Sequence, residues 1–309
     1  MSIRHKKRRS RSGFFKDLEL LSMNLPTILW IVIFSYIPMI GIIIAFKTYR
    51  YDLGIFGSEW VGLENFKFLF RNDIMWRITR NTIGMNVLFL IVGPLFGVTF
   101  AILLNEVSSK FVRVYQTTMF FPHYLSWVVV SYLFVGLFDM ELGILNRIIG
   151  FFGGEAVMWY NEAKHWPVIL VLTSIWKHTG YHAVIYFAAI MGINHDFYEA
   201  ARIDGASKLQ QIRYITVPLL MPTVIMLTLI GIGNIFRADF GMFYFLTKNS
   251  GALYSTTDVI DTYVFRTIRE FGQMHIGTAV GLYQALVGLI LVTTTNFFVK
   301  KYDKNSALY

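Results

Sequence analysis

Few residues of this chain have the chemistry for catalysis or metal binding, and most of those interrupt long apolar stretches. His178 and His182 are four residues apart, a spacing that places two imidazoles on one helix face and would suit a metal ion if a third ligand came from elsewhere. No acidic residue accompanies them, so we expect packing. Neither a phosphate-binding Gly-x-x-x-x-Gly-Lys-Ser/Thr loop nor a His-Glu-x-x-His zinc motif occurs. The sequence therefore predicts no catalytic residue, no metal site and no nucleotide site.

The elements that position these residues are long apolar segments. Hydrophobic residues make up 55% of the 309 and charged residues 15%, against about 25% charged in soluble domains. Six stretches are long enough, at about 1.5 Å per helical residue, to cross about 30 Å of hydrocarbon: 25–46, 82–104, 117–138, 166–193, 215–236 and 276–299. They lack the alternation of barrel strands, and backbone groups in lipid must be paired internally. We predict an all-α membrane protein with six transmembrane helices, which excludes a soluble enzyme.

The distribution of positive charge predicts the orientation. A basic run at residues 4–11 precedes the first span, and the segments on its side of the membrane carry most of the excess Lys and Arg. We therefore place both termini in the cytoplasm and expect lipid contacts but no nucleic-acid partner. The predicted parts are a basic N-terminus (1–24), a first helix with its outer loop (25–78), a transmembrane core (79–299) and a tail (300–309).

The loop between the predicted fourth and fifth spans is the most informative part of the sequence. Asp196 with Glu199 predicts a capping box that opens a short helix, and Gly205 suits the left-handed residue that ends it. Ser207 with Gln210 predicts a second capping box. The loop would then form two short helices at an angle, the second joined directly to a membrane helix. A force on the first short helix would be transmitted to that membrane helix. A well-capped connector is the alternative.

A spaced motif in this loop resembles one of a known family. Glu199-Ala200-Ala201 is followed after three residues by Gly205 and, nine residues later, by the run 215–218. The pattern is similar to the cytoplasmic EAA motif in the permease subunits of bacterial binding-protein-dependent ABC importers, with Val217 where leucine is frequent. The resemblance covers about residues 79–299.

The resemblance implies a transport subunit with the type I ABC importer (maltose-permease-like) transmembrane fold in the bacterial cell membrane. Three runs are similar to the branch that imports oligosaccharides and polysaccharide fragments: 37–46, 122–130 and 258–266. The implied partners are a second permease, expected to be a different chain, two cytoplasmic ATPase subunits and an extracellular solute-binding protein. ATP and Mg would be bound by the ATPase, and no cofactor by this chain.

The resemblance also assigns residues to the coupling with the ATPase. The coupling loop would be 194–218, and its contact residues are Glu199, Ala200, Ala201, Asp204 and Gly205. On this basis Glu199 offers a carboxylate to the ATPase, the alanines allow close approach, and Gly205 provides the bend.

A sugar offers hydroxyl groups and apolar C–H faces, so its path should combine aromatic and polar side chains. The candidates within the spans are Asn234, Tyr181, Lys177, Tyr283 and Gln284. Asn234 is the first choice, with hydrogen bonding between helices as its alternative role. Lys177 either lines the path or makes a structural contact, since an unpaired lysine is costly in a membrane. The pair Gly277 and Gly281 predicts close helix packing.

Two other function classes remain open at this point. An ion-coupled secondary transporter would share the spans, although acidic residues are absent from them, which disfavours proton coupling. A membrane-embedded transferase is the less favoured alternative and would need a cluster of acids or histidines.

Overall fold

A computed structural model describes residues 22–71 and 73–302; the basic run 4–11 and the end of the predicted tail, 303–309, lie outside them. The helices, in chain order, are α1 (Ser22–Phe46), α2 (Gly54–Gly57), α3 (Glu64–Arg71), α4 (Asp73–Glu106), α5 (Ser109–Tyr124), α6 (Trp127–Phe138), α7 (Ile144–Phe151), α8 (Trp166–Met191), α9 (Asp196–Ile203), α10 (Lys208–Gly233), α11 (Met242–Leu246, a π-helical turn), α12 (Tyr254–Thr257), α13 (Ile260–Arg269) and α14 (Met274–Tyr302). Two short strands, β1 (Lys47–Thr48) and β2 (Glu59–Trp60), form an antiparallel pair with Lys47 opposite Trp60.

Every predicted span is helical, but not every helix is long and apolar enough by itself to cross a membrane. Within the described residues, α1, α4, α10 and α14 are each long and apolar enough to span a membrane, and α5 with α6 makes a fifth if a bent pair counts as one. The 26 residues of α8 have the length of a span but include Lys177 and two histidines. The all-α membrane fold is confirmed, and the count of six crossings stays a prediction.

The third predicted span, 117–138, is two helices and not one kinked helix. It is broken between α5 and α6, which meet at 92°. Pro122 lies two residues before the end of α5, and Ser126 then adopts an extended conformation and accepts a hydrogen bond from the Val129 amide at 3.3 Å. The serine acts as an N-cap that starts a new helix in a new direction.

Three clusters of buried apolar side chains hold the long helices together. The first joins α4, α6, α8 and α11 around Trp166 and Phe243. The second joins the end of α1 to α4, α13 and α14 around Ile78 and Ile260, and the third joins α4, α8 and α10 around Tyr186. Helix α4 contributes to all three clusters and is the central element of the fold.

Helix α1 contributes only its last turns to this core. Ile44 and Ala45 are buried, whereas residues 22–40 are exposed along their whole length. An apolar helix exposed on every face needs lipid or another apolar protein surface around it.

A buried ion network anchors α13 to α4 at the end of the molecule opposite α9. Asp258, which is 1% exposed, pairs with Arg77 of α4 at 2.9 Å and with Arg266 of α13. Arg266 also donates to Asn249 Oδ1 at 3.0 Å and lies over the ring of Tyr254. Both carboxylate oxygens are thereby satisfied, the condition under which a buried charge is tolerated.

Candidate functional site

The first site is the EAA loop, residues 194–218. Helix α9 begins at Asp196, but the predicted Asp196–Glu199 capping box is wrong. His195 occupies the N-cap with helical backbone angles and makes no side-chain cap. Asn194 satisfies the first amide of the helix instead: its Oδ1 accepts from the Asp196 amide at 3.1 Å, and its Nδ2 donates to the Asp196 carboxylate at 3.0 Å. The two acids remain in the first turn, where they complement the helix dipole.

The turn after α9 is formed as the sequence predicts. Gly205 has a φ of 79°, and the Ala206 amide reaches back over the helix end to the Ala201 carbonyl at 2.8 Å. The Ser207–Gln210 capping box is confirmed, with the Ser207 amide donating to Gln210 Oε1 at 2.7 Å. The loop is therefore a defined helix–turn–helix.

Three side-chain contacts tie this loop to the long helices, and no sequence motif predicts them. The Tyr198 hydroxyl on α9 is hydrogen-bonded to the buried Thr216 hydroxyl on α10 at 2.9 Å. Gln211 donates to the Ala206 carbonyl at 3.0 Å, and Lys208 at the start of α10 pairs with Glu106 at the end of α4 at 2.9 Å. These contacts join α9 and its turn to α10 and to the end of α4.

The opposite face of the loop is exposed and partly apolar. Ile203 is 86% exposed, Leu209 74% and Phe197 54%. Glu199, Ala200 and Asp204 are exposed beside them, whereas Ala201 is half-buried. Large apolar side chains next to carboxylates on an exposed helix indicate a protein-binding surface.

Lys177 is placed in a structural contact. Its side chain is buried, and its ammonium donates to the carbonyls of Pro122, His123 and Leu125 at the end of α5. The Pro122 carbonyl also accepts from the Leu125 amide at 3.2 Å, whereas the carbonyls of His123 and Leu125 receive no other backbone hydrogen bond within the described residues. A cation at a helix C-terminus also complements the helix dipole. The lysine therefore stabilises the break in the third span.

Tyr181 and the histidines form an aromatic cluster next to that break. The Tyr181 ring stacks on His123 with 4.7 Å between centroids, and the His123 and His178 rings are 5.5 Å apart. His178 and His182 also line a cavity of about 260 Å³ between α4 and α8. Within residues 22–71 and 73–302, no group of three His, Cys, Asp or Glu side chains could hold a metal ion.

The second site is the non-helical stretch 234–239 that follows α10, here called the clamped segment. Asn86 of α4 donates to the carbonyls of residues 235 and 237 at 2.7 and 3.1 Å, and Gln284 of α14 donates to the carbonyl of residue 236 at 2.5 Å. Asp261 of α13 accepts from the amide of residue 238 at 2.8 Å, and Trp127 of α6 donates to Asp239 at 2.7 Å. Irregular backbone inside a membrane protein is tolerated where polar side chains satisfy it or where it lines a cavity.

Asp261 is one of the residues that fix this segment, and burial raises the pKa of its carboxyl above the ordinary value. Hydrogen bonds from the amide of Ala238 and the side chain of Gln284, together with the charge of Arg237, oppose that increase. The carboxylate is thus held by two donors at a half-buried position.

A cavity of about 320 Å³ lies between the clamped segment and α14. Asn234 and Gln284, two of the five predicted path residues, both line it, as does Arg237. Tyr283 instead packs in the second core cluster, with its ring 6.4 Å from that of Phe236. Sequence reasoning missed Arg237 because it lies one residue beyond the predicted fifth span.

The predicted packing of Gly277 and Gly281 is correct for one of the two glycines. A Cβ on Gly277 would lie 2.4 Å from Ile268 of α13, so that glycine allows close packing. A Cβ on Gly281 would meet nothing within 4 Å, and this glycine lines the 320 Å³ cavity.

Comparison with known proteins gives a consistent family assignment. Residues 93–305 match the family described as binding-protein-dependent transport system inner membrane component. The chain is 36% identical over 294 residues to Protein LplB of Bacillus subtilis, which covers 94% of this chain and 91% of that protein. It is 35% identical over 302 residues to the polygalacturonan/rhamnogalacturonan transport system permease protein YteP of the same organism, which covers 97% and 94%.

A solved structure supports the same assignment. The crystal structure of a bacterial ABC transporter involved in the import of the acidic polysaccharide alginate contains a chain that is 33% identical, with a TM-score of 0.86, over 96% of this chain and all of that one. The family consists of membrane transport subunits, so the alternatives of a transferase and of an ion-coupled transporter are wrong. The chain belongs to the binding-protein-dependent transport system inner membrane component family and is the permease subunit of an ABC transporter.

Proposed function

We propose that this chain forms half of the translocation path of an ATP-driven importer of oligosaccharides or polysaccharide fragments. The permease named for polygalacturonan and rhamnogalacturonan and the alginate importer support a saccharide substrate. The observation that carries the mechanism is the EAA loop, which exposes an apolar and acidic face while its Tyr198 is hydrogen-bonded to α10.

The two sites lie at the two ends of one helix. Helix α10 begins at Lys208 within the EAA loop and ends at Gly233, where the clamped segment begins. Its 26 residues span about 39 Å. A push on α9 passes through Tyr198 and the Ser207 turn into α10 and reaches the wall of the 320 Å³ cavity. Such a device is allosteric in the strict sense if the loop and the cavity bias the same two arrangements of α10.

The roles of individual residues follow from their positions. Glu199, Ala200 and Asp204 contact the ATPase, Ala201 packs α9 against the body, and Gly205 sets the bend. Asn234 and Gln284 contact the saccharide because they line the cavity. We assign the remaining three path candidates, Lys177, Tyr181 and Tyr283, to packing.

The partners and orientation complete the proposal. The EAA loop and both termini lie in the cytoplasm, where two ATPase subunits bind and use ATP and Mg. A different permease chain supplies the other half of the path, and a solute-binding protein delivers the saccharide from outside. Residues 79–299 form the transmembrane core and 194–218 the coupling loop. The family's dependence on a binding protein supports the extracellular partner.

The test is ATP hydrolysis by the reconstituted complex, stimulated by saccharide-loaded binding protein. Gly205→Pro should abolish stimulation because proline cannot adopt a φ of 79° and also lacks the amide that bonds to Arg202. Assembly of the complex, measured by gel filtration, should persist. Normal stimulation in this variant, or saccharide uptake driven by an ion gradient without ATP, contradicts the proposal.

A further inference from the structure

Arg237 is an exposed cation whose backbone is held by its neighbours and whose guanidinium forms no salt bridge within the described residues. Its carbonyl accepts from Asn86 at 3.1 Å, and its amide donates to the Asn234 carbonyl at 2.8 Å. The residue lines the 320 Å³ cavity. Among residues 22–71 and 73–302, no carboxylate lies within ion-pair distance of its guanidinium, and no hydrogen bond to the guanidinium is formed.

The two acids nearby are already occupied. Asp261 accepts from the Ala238 amide at 2.8 Å and from Gln284 at 3.1 Å. Asp239 accepts from the Trp127 indole at 2.7 Å. Arg237 therefore forms no salt bridge to either acid, although its charge acts on Asp261 from a longer distance. Its planar guanidinium suits bidentate binding of a carboxylate.

The cavity also offers acceptors for hydroxyl groups. The side-chain nitrogen of Asn234 donates to the Ile230 carbonyl at 3.1 Å. The side-chain nitrogen of Gln284 donates to the Phe236 carbonyl and to the Asp261 carboxylate. Gln284 uses both hydrogens of its side-chain nitrogen and Asn234 uses one of two, so the two side-chain oxygens and one N–H of Asn234 are the groups left for a ligand. One cation and two amide oxygens match a polyhydroxylated molecule that carries a carboxylate.

The shape of the cavity fits a chain molecule. Its wall on α14 runs from Gly281 to Val292, which are eleven helical steps or about 16 Å apart. A Cβ on Gly281 or on Gly288 would meet nothing within 4 Å, so both glycines keep this groove open.

We propose that Arg237 binds the carboxylate of an acidic saccharide, a uronate-containing oligomer, as it passes along this groove. The inference rests on the proposed function, since it names the substrate class of the same path. A neutral oligosaccharide would leave the guanidinium unpaired, so the site favours the acidic chain over its uncharged counterpart. Loss of a hydrogen-bonded ion pair to a bound anion should lower transport of the acidic chain about tenfold or more.

The experiment measures ATP-dependent uptake of two probes into proteoliposomes that hold the complete transporter with its binding protein. The probes are an oligogalacturonate and the same oligomer fully methyl-esterified, which has equal length but no charge. The wild type should prefer the acid, and Arg237→Gln should lose that preference while still transporting the ester. Arg147→Gln, which alters an exposed arginine of α7, is the matched control and should keep the preference.

A second variant addresses failure to fold. The chain has no cysteine, so in Arg237→Cys a thiosulfonate reagent modifies a single thiol of this subunit. An aminoethyl reagent, which restores a positive charge, should restore the preference for the acid, and a sulfonatoethyl reagent should not.

The possible results separate the two proposals. Uptake of neither probe by the wild type overturns the uronate substrate class, whereas the proposed function itself is rejected if loaded binding protein does not stimulate ATP hydrolysis. Wild-type uptake without a preference, or an equal loss of both probes in Arg237→Gln, overturns the assignment of Arg237 and leaves the importer intact. Equal effects of the two thiosulfonates on Arg237→Cys also overturn it.

Discussion

The bend at Gly205 makes a quantitative prediction, because only backbone conformation requires glycine there. The residue has a φ of 79°, and a Cβ at this position would meet nothing within 4 Å. Gly205→Ala therefore introduces no clash, and its cost is that of a left-handed alanine, about 1–2 kcal/mol. With about 1.4 kcal/mol per factor of ten, the native turn becomes about 5- to 30-fold less favoured.

The assay is ATP hydrolysis stimulated by loaded binding protein, compared with basal hydrolysis. Gly205→Ala should lower the stimulated rate, and Gly205→Asn should retain more of it because asparagine tolerates the left-handed region. Gly192→Ala is the matched control: that glycine has a φ of −81°, and its Cβ would lie 3.4 Å from the Ala189 carbonyl. If Gly205→Ala and Gly192→Ala gave the same stimulated rate as the wild type, the turn would have no part in coupling.

Three further substitutions test other contacts. Tyr198→Phe removes the hydrogen bond to Thr216, worth about 0.5–1.5 kcal/mol, and should reduce the ratio of stimulated to basal ATP hydrolysis. An unchanged ratio contradicts the proposed transmission from α9 through Tyr198 to α10. Lys177→Met leaves the carbonyls of His123 and Leu125 without a donor and should cost about 2 kcal/mol or more, at about 1–3 kcal/mol per buried acceptor. The loss should appear as a lower unfolding temperature in detergent; an unaltered temperature excludes the structural role. Asp258→Ala leaves Arg266 buried without its partner and should lower the free energy of unfolding, measured in denaturant, by about 3–5 kcal/mol. A decrease below about 1 kcal/mol contradicts a stabilising role for this ion network.

The EAA loop is the part of the site that sequence predicts well. Gly205 and the Ser207–Gln210 pair act locally, because each satisfies backbone groups within a few residues. The one local error, at Asp196, arose because Asn194 two residues earlier competes for the same amide. Tyr198 could not be singled out, since its partner Thr216 is eighteen residues away and only the fold brings them together.

The cavity shows where sequence reasoning stops. Pro122 predicts a kink within the apolar run 117–138, but not a 92° bend, because the lysine that stabilises the bend comes from α8. The polarity of Asn234 and Gln284 within the spans predicts that they line the substrate path. Arg237 is not among the predicted path residues, because it lies just beyond the fifth span, in the predicted outer loop. Its role depends on the clamped segment, which is fixed by side chains from four other helices.

The central claim is that the EAA loop lies in the cytoplasm and contacts an ATPase. Because the chain has no cysteine, Ile203→Cys supplies a single thiol in this subunit, at a position of α9 that is 86% exposed. Phe151→Cys, 85% exposed on α7, is the control on the side that we propose to be the outer one. In cells whose outer surface is accessible, a membrane-impermeant thiol reagent should label only Phe151→Cys. In membrane vesicles, a short thiol-to-amine crosslinker should join Ile203→Cys to the ATPase subunit. Labelling of Ile203→Cys from outside, or the absence of any crosslink to an ATPase, contradicts the account.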